Sequence, residues 1–148
     1  LVIASPDVGG SKRASSYAKY LGVDLVLCHK QRAKANVVES MKIIGDVKGK
    51  NVTILDDMVD TAGTITKAAD LMIENGALSV RAFASHGVLS DPATERIEKS
   101  KLTAIYFTDS IPLKKESEKI KVLSVAELIA NTIINVNTNK SISSSYLV

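Results

Sequence analysis

The chain has 148 residues, of which 45% are hydrophobic and 24% are charged. These proportions are typical of one globular domain and exclude a disordered or collagen-like chain. No apolar run approaches the roughly 20 residues that a membrane-spanning helix needs, so we expect no membrane partner. The single cysteine, Cys28, excludes an intrachain disulfide framework. It favours a reducing compartment such as the cytoplasm.

The net charge of +3 is unevenly distributed. Residues 1–50 hold nine Lys and Arg against four Asp and Glu, whereas residues 51–100 hold four against eight. Aromatic residues make up only 4% of the sequence and Trp is absent, so few side chains could stack on nucleic-acid bases. We therefore expect no nucleic-acid partner, but a small anionic ligand near basic groups and a separate role for the carboxylates.

Short apolar runs alternate with helical patterns from the first residue onward. The patterns predict strands over 1–4, 24–28, 37–44, 52–55, 79–84, 102–107 and 120–123, and helices over 11–21, 63–74, 91–99 and 125–136. This alternation predicts an α/β fold, a mostly parallel twisted sheet with helices on both faces. Such sheets bind ligands beyond the carboxyl ends of their strands.

Several local features refine this prediction. Gly22 is expected to end the first helix, and Asp91 to cap the third, with Pro92 at its first position. Residues 29–36 contain no large apolar side chain and are expected to form an exposed, mobile loop. The apolar stripe of the last helix is expected to lie mainly in the core, although part of it could pack against another subunit. A polar tail follows over 137–148.

The densest chemistry follows the apolar run 52–55. Asp56 and Asp57 are adjacent hydrogen-bond acceptors, which suit the neighbouring hydroxyls of a ribose and could also recruit Mg²⁺. Residues 60–64 read Asp-Thr-Ala-Gly-Thr and run into a helix, whose first N–H groups favour a phosphate dianion. Helix capping would explain one or two of these residues, but the whole set predicts a sugar-phosphate site.

Four segments resemble the ribose-phosphate pyrophosphokinase family, also called phosphoribosyl pyrophosphate synthetases, which has the type I phosphoribosyltransferase-like fold. They are Ser-Pro-Asp-Val-Gly-Gly at 5–10, His-Lys-Gln-Arg at 29–32 with Asn36, the segment 52–64, and Ser-Tyr-Leu at 145–147. The resemblance covers the whole chain but only the C-terminal half of the family's enzyme. Because the chain also begins in a strand and without Met, we expect a single domain over 1–148 that belongs to a longer two-domain enzyme.

The resemblance implies transfer of the β,γ-diphosphoryl group of ATP to the 1-hydroxyl of ribose 5-phosphate, with Mg²⁺, giving phosphoribosyl pyrophosphate and AMP. It implies that Asp56 and Asp57 bind the ribose hydroxyls and that Asp7 contacts the metal. The catalytic cations would be Lys30 and Arg32. The 5-phosphate would be held by Asp60, Thr61, Ala62, Gly63 and Thr64.

The resemblance also implies a missing N-terminal domain, a homo-oligomer, and an allosteric site to which Ser143 and Ser145 could contribute. Two alternatives remain open at this point. One is a phosphoribosyltransferase, which would share the segment 52–64. The other is a non-catalytic protein that associates with a synthetase. His29 and His86 have no assigned role.

Overall fold

A computed structural model describes residues 1–31 and 40–143, with the backbone alone described for Lys30 and Gln31. Within this part the chain forms seven strands and four helices. The strands are β1 (Val2–Ser5), β2 (Asp24–Gln31), β3 (Ser40–Ile44), β4 (Asn51–Val59), β5 (Ser79–Gly87), β6 (Ala104–Thr108) and β7 (Ile120–Leu123). The helices are α1 (Ser11–Leu21), α2 (Gly63–Glu74), α3 (Ala93–Lys99) and α4 (Ala126–Asn137).

The seven strands form one sheet in the order β3-β2-β1-β4-β5-β6-β7. Neighbouring strands are parallel except β2 and β3, which are antiparallel. From β1 the chain moves outward through α1 to β2, and from β4 it moves the other way through α2 to β5. The adjacent carboxyl ends of β1 and β4 therefore form a topological switch point, where such sheets bind ligands.

The core has two parts, one on each face of the sheet. The larger part contains Val2, Ala4 and the buried faces of α2 and α3. The smaller part contains Ile3 with Ala14 and Ala18 of α1. Consecutive residues of β1 point to opposite faces of the sheet, so α1 covers one face and α2 and α3 cover the other. The predicted α/β fold is confirmed.

The helices over 11–21 and 63–74 are confirmed residue for residue. Gly22 ends α1 in the left-handed conformation, at φ 65°, which glycine adopts without a Cβ penalty. Strands β4 and β5 both run past the predicted ends, because they stay paired through Asp56 with Ala84 and Met58 with His86.

The predicted loop over 29–36 is wrong at its start. Residues 29–31 belong to β2 and not to a loop, since His29 pairs with Lys42 and Gln31 with Ser40 of β3. Backbone pairing of this kind needs no apolar side chain. The rest of that predicted loop lies outside the described residues, as do positions 37–39 of the predicted third strand.

The start of α3 also differs from the prediction. Its N-cap residue is Pro92, with no side-chain capping hydrogen bond. The Asp91 carboxylate is instead 2.6 Å from Lys115 Nζ, because an ion-pair partner from the segment before β7 is within its reach. Asp91 therefore joins two loops and does not cap the helix.

The prediction that the stripe of α4 lies in the core is wrong. The helix has no buried residue, and its large apolar side chains are at least 53% exposed: Leu128, Ile129, Ile133, Ile134 and Val136. Its N-terminus is attached to the sheet through Asp109, whose carboxylate accepts hydrogen bonds from Ser124 Oγ and Val125 N–H. Among the described helices, none is long and apolar enough to cross a bilayer.

Candidate sugar-phosphate site

A tight turn after β1 forms one wall of the switch point. Ser5 Oγ donates to the Asp7 carbonyl over 2.7 Å, and the Gly10 N–H donates to Asp7 Oδ1 over 2.9 Å. A Cβ on Gly10 would lie only 2.7 Å from Ser5 Oγ, so glycine lets the two segments approach. The turn holds the Asp7 carboxylate at the carboxyl end of β1.

The paired acids form the opposite wall. Asp56 and Asp57 lie inside the extended end of β4, and not in the loop after it as predicted. The Asp57 N–H donates to Asp56 Oδ1 over 2.9 Å. Arg13 of α1 approaches both acids, with Nη2 at 3.1 Å from Asp57 Oδ2 and Nη1 at 3.9 Å from Asp56 Oδ1.

The pKa values of the two carboxyls are shifted in opposite directions. Burial raises the pKa of Asp56 to about 6, and the charges of Asp57 and Asp7 add to this effect. The pKa of Asp57 is lowered, first by its hydrogen bond with Asp56 and then by Arg13. Asp57 therefore carries its charge more readily than Asp56, which sits among other negative groups.

A sharply bent loop connects β4 to α2. Ala62 is buried and left-handed, at φ 59°. Its carbonyl accepts hydrogen bonds from Thr66 N–H over 3.1 Å and from Thr66 Oγ1 over 2.8 Å. No side chain caps α2, so the first N–H groups of the helix are not taken up by a capping residue. These donors, together with the helix dipole, suit an anion.

The acids and the bent loop share one cavity of about 260 Å³. Asp7 lines it together with residues 56–65. The structure therefore brings together Asp7 and the predicted substrate residues Asp56, Asp57, Asp60, Thr61, Ala62, Gly63 and Thr64. The cavity therefore combines acceptors for hydroxyl groups, on the paired acids, with donors for an anion at the start of α2, and a sugar phosphate requires both.

The carboxylates of this cavity fit a magnesium ion only in part. Among the residues that the structure describes, no three His, Cys, Asp or Glu side chains come together as a metal cluster. Mg²⁺ usually binds one or two carboxylates and completes its shell with water and substrate phosphates. Asp7 lines the same cavity as the paired acids and can supply one such carboxylate.

The remaining predicted residues lie elsewhere or outside the described part. Lys30 is in β2, opposite Met41 of β3, while Arg32 and Ser145 lie outside the described residues. Ser143 is exposed near the end of the chain, where its Oγ is 2.8 Å from Ser141 Oγ.

The cysteine and the two histidines lie in surroundings that require no ligand. Cys28 is buried, as predicted, and burial raises the pKa of its thiol to about 11. His29 lies within β2. His86 Nδ1 is 2.8 Å from Ser110 Oγ of the turn after β6, a contact that needs no ligand.

Two arginines at the site were missed by sequence reasoning. Arg13 follows the glycine turn by three residues and lies near the start of α1. This position beside the carboxyl end of β1 could have identified Arg13 from the sequence. Arg96 lies on α3 and donates a hydrogen bond from Nη1 to the Thr61 carbonyl over 2.9 Å. No local pattern links residues 35 positions apart, so this contact depends on the tertiary fold.

The mostly parallel sheet, with its cavity at the switch point between β1 and β4, defines an α/β domain of the phosphoribosyltransferase type. A model of the family described as the phosphoribosyl synthetase-associated domain matches residues 33–148, and the chain belongs to this family.

Two similar proteins agree with this assignment, and a third shares only the fold. The ribose-phosphate pyrophosphokinase of Porphyromonas gingivalis is 60% identical over 146 residues, which cover 99% of this chain and 47% of that protein. The crystal structure of phosphoribosylpyrophosphate synthetase from Mycobacterium smegmatis matches with a TM-score of 0.84 and 41% identity, covering 93% of this chain and 45% of that one. An adenine phosphoribosyltransferase shares the fold, with a TM-score of 0.56, 19% identity and coverage of 72% and 65%. The chain spans about half the length of the curated relatives it matches.

Proposed function

We propose that this chain is the ribose 5-phosphate-binding half of a ribose-phosphate pyrophosphokinase. The observation that carries the proposal is the shared cavity, in which paired acids and a helix-terminal loop stand at the junction of β1 and β4. The names of the similar proteins support it. The phosphoribosyltransferase alternative is supported only by distant similarity of fold.

In this proposal each part of the cavity recognises one part of the substrate. Asp56 and Asp57 accept hydrogen bonds from the ribose hydroxyls. The N–H groups and hydroxyls of residues 60–64 bind the 5-phosphate, with Asp60 acting through its backbone because its carboxylate would repel an anion. Binding at both ends orients the sugar and leaves its 1-hydroxyl free to react.

The reaction moves a diphosphoryl group. The ribose 1-hydroxyl oxygen attacks the β-phosphorus of ATP, and the bond from that phosphorus to the oxygen that bridges the α- and β-phosphates breaks. AMP leaves with this oxygen, and the hydroxyl proton passes to solvent water. Phosphoryl transfer depends mainly on positioning and on cations near the developing charge. We assign that role to Lys30 and Arg32, of which Arg suits a forked phosphate contact. Mg²⁺, held by Asp7 with the substrate phosphates, would neutralise charge on the transferred group.

The rest of the enzyme would come from outside this chain. The missing domain would supply most contacts to ATP, and the exposed apolar face of α4 offers a surface for that domain or for another subunit of a homo-oligomer. Ser143 and Ser145 would belong to an allosteric site near the C-terminal tail. The buried, unpaired Cys28 fits a reducing compartment, and we place the reaction in the cytoplasm.

The test is AMP formation by the full-length protein from ATP, ribose 5-phosphate and Mg²⁺. We expect Asp56→Asn/Asp57→Asn to lose ribose 5-phosphate binding in a calorimetric titration and to lose AMP formation. The matched control is Asp46→Asn, an exposed acid in the turn before β4 that pairs with Lys50. A parent protein that forms no AMP, or an acid variant with unchanged affinity, would contradict the proposal.

A further inference from the structure

The Arg96 side chain reaches from α3 to the back of the bent loop. Its Nη1 donates to the Thr61 carbonyl over 2.9 Å, and a Cβ on Gly63 would lie 3.5 Å from the same nitrogen. The guanidinium group therefore lies against the backbone between these two residues. It does so in a cleft of about 490 Å³ that is lined by Thr61, Gly63, Thr64 and Arg96 but not by the paired acids.

This contact fixes the orientation of one peptide unit. Within the described residues the cis peptide bond is the one between Asp91 and Pro92, so the Thr61–Ala62 peptide is trans. In a trans peptide the carbonyl and the N–H point in opposite directions. Because the Thr61 carbonyl is directed at Arg96, the Ala62 N–H is directed away from Arg96. Ala62 itself lines the smaller cavity, which also contains Asp56 and Asp57.

The same peptide borders a strained residue. Ala62 has φ 59°, a conformation that costs an alanine free energy and persists only where the surrounding contacts hold it. Thr66 holds the carbonyl of Ala62 from the helix side, and Arg96 holds the carbonyl of Thr61 from the other side. The two contacts bracket the left-handed residue and keep the loop in the shape that exposes its donors to the cavity.

We propose that Arg96 is a positioning residue for binding of the sugar phosphate, an inference that rests on the function proposed above. It acts through the Thr61–Ala62 peptide and touches no reacting atom. The guanidinium group also polarises this peptide, which makes the Ala62 N–H a stronger donor to an anion. Arg96 thus joins α3, a helix with no predicted site residue, to the 5-phosphate end of the cavity.

The test compares Arg96→Ala, Arg96→Lys and Lys99→Ala in the full-length protein. Lys99 is the matched control, because it is a cation of the same helix and the same cleft whose ion pair is with Glu95. Loss of one net hydrogen bond predicts about a fivefold rise in KM for ribose 5-phosphate in Arg96→Ala. We expect kcat to change less than about twofold, Arg96→Lys to recover part of the affinity, and Lys99→Ala to match the parent.

Each outcome has a distinct meaning. A raised KM with a nearly constant kcat, and partial rescue by lysine, supports positioning. A lower thermal midpoint and a lower kcat at constant KM would mean that Arg96 only stabilises the fold, and would overturn the inference. If Arg96→Ala does not fold, Arg96→Lys decides, and an unchanged KM there would also overturn it. Failure of the parent to form AMP would instead contradict the proposed function.

Discussion

Helices α2 and α4 have the same length but opposite surroundings. Each has 12 residues and an apolar stripe at helical spacing. The stripe of α2 is covered by the sheet, whereas α4 buries none of its side chains. The buried residues of α2 are Ile65, Thr66, Ala68, Ala69 and Met72. An amphipathic pattern therefore shows that a helix has a face to cover, but it does not show what covers it.

Topology explains the difference. Helix α2 connects the neighbouring parallel strands β4 and β5, and a crossover of this kind must pack back onto the sheet. Helix α4 follows β7, the edge strand, and in the described part of the chain no strand follows α4. Nothing in this connection forces α4 onto the sheet. Within the described residues its apolar face is therefore uncovered.

The largest contrast should come from truncating one side chain on each helix. Met72 in α2 is 0% exposed, so Met72→Ala should lower the free energy of unfolding by about 2–5 kcal/mol through lost burial and a new cavity. Ile133 in α4 is 62% exposed, so Ile133→Ala should change it by less than about 0.5 kcal/mol. Urea denaturation of this chain measures both values. Equal losses would mean that α4 is packed in solution.

The turn after β1 is closely packed, unlike the open surface of α4, and substitutions at its two glycines should differ in their effect on the free energy of unfolding. Gly10→Ala would place a Cβ 2.7 Å from the buried Ser5 Oγ, and overpacking of this kind should cost about 1–3 kcal/mol. The neighbouring Gly9→Ala is the control, because its Cβ would meet the Asp7 carboxylate at 3.3 Å and that side chain can move. The same denaturation series tests this pair, and a larger loss for Gly9→Ala would contradict the assigned packing.

Local sequence predicted those parts of the fold that local interactions determine. Helices α1 and α2 had clear periodicity and end signals, and their bounds are confirmed. The segment 29–31 was misjudged because its place in β2 comes from pairing with β3. The stripe of α4 was misjudged because periodicity does not identify a partner.

The candidate site divides in the same way. The paired acids and the loop 60–64 were predictable, because they are contiguous and their chemistry is dense. Their gathering in one cavity with Asp7 followed from the rule for carboxyl ends of parallel strands. Arg13 and Arg96 come from other elements, and the distances that connect them to the site exist only in the folded chain.

A smaller effect on the free energy of unfolding should distinguish the two adjacent acids of β4. Burial raises the pKa of Asp56 from 3.8 to about 6, so between these values the folded chain holds a proton that the unfolded chain has lost. The free energy of unfolding therefore falls as pH rises through this window and stays reduced above it. Asp56→Asn removes this loss, so the variant should be more stable than the parent above pH 6, and the difference should shrink toward pH 4.

The neighbouring acid supplies the control for this pH dependence. The pKa of Asp57 is lowered by Asp56 and Arg13, so its ionised form stabilises the fold above the unfolded-state pKa, and this contribution is lost as pH falls. Asp57→Asn should therefore have the opposite sign and destabilise the chain at neutral pH. Urea denaturation from pH 4 to 8 compares the two variants. A destabilised Asp56→Asn at neutral pH would show that burial does not dominate at that site.

The smallest expected effect on this chain concerns the whole face of α4. Leu128 and Ile133 are 55% and 62% exposed. In the isolated chain, Leu128→Ser/Ile133→Ser should therefore change the free energy of unfolding by less than about 1 kcal/mol, the sum of two surface changes.

In the full-length protein the same pair should weaken assembly or lower the thermal midpoint if that face is covered there, because polar substitution then breaks an apolar contact. Asn131→Ser, on the same helix, controls for helix propensity. Sedimentation velocity and thermal melts of both lengths are the measurements. A full-length protein that assembles and melts as the parent does would mean that the face stays open to water, and that its amphipathic pattern does not indicate a partner.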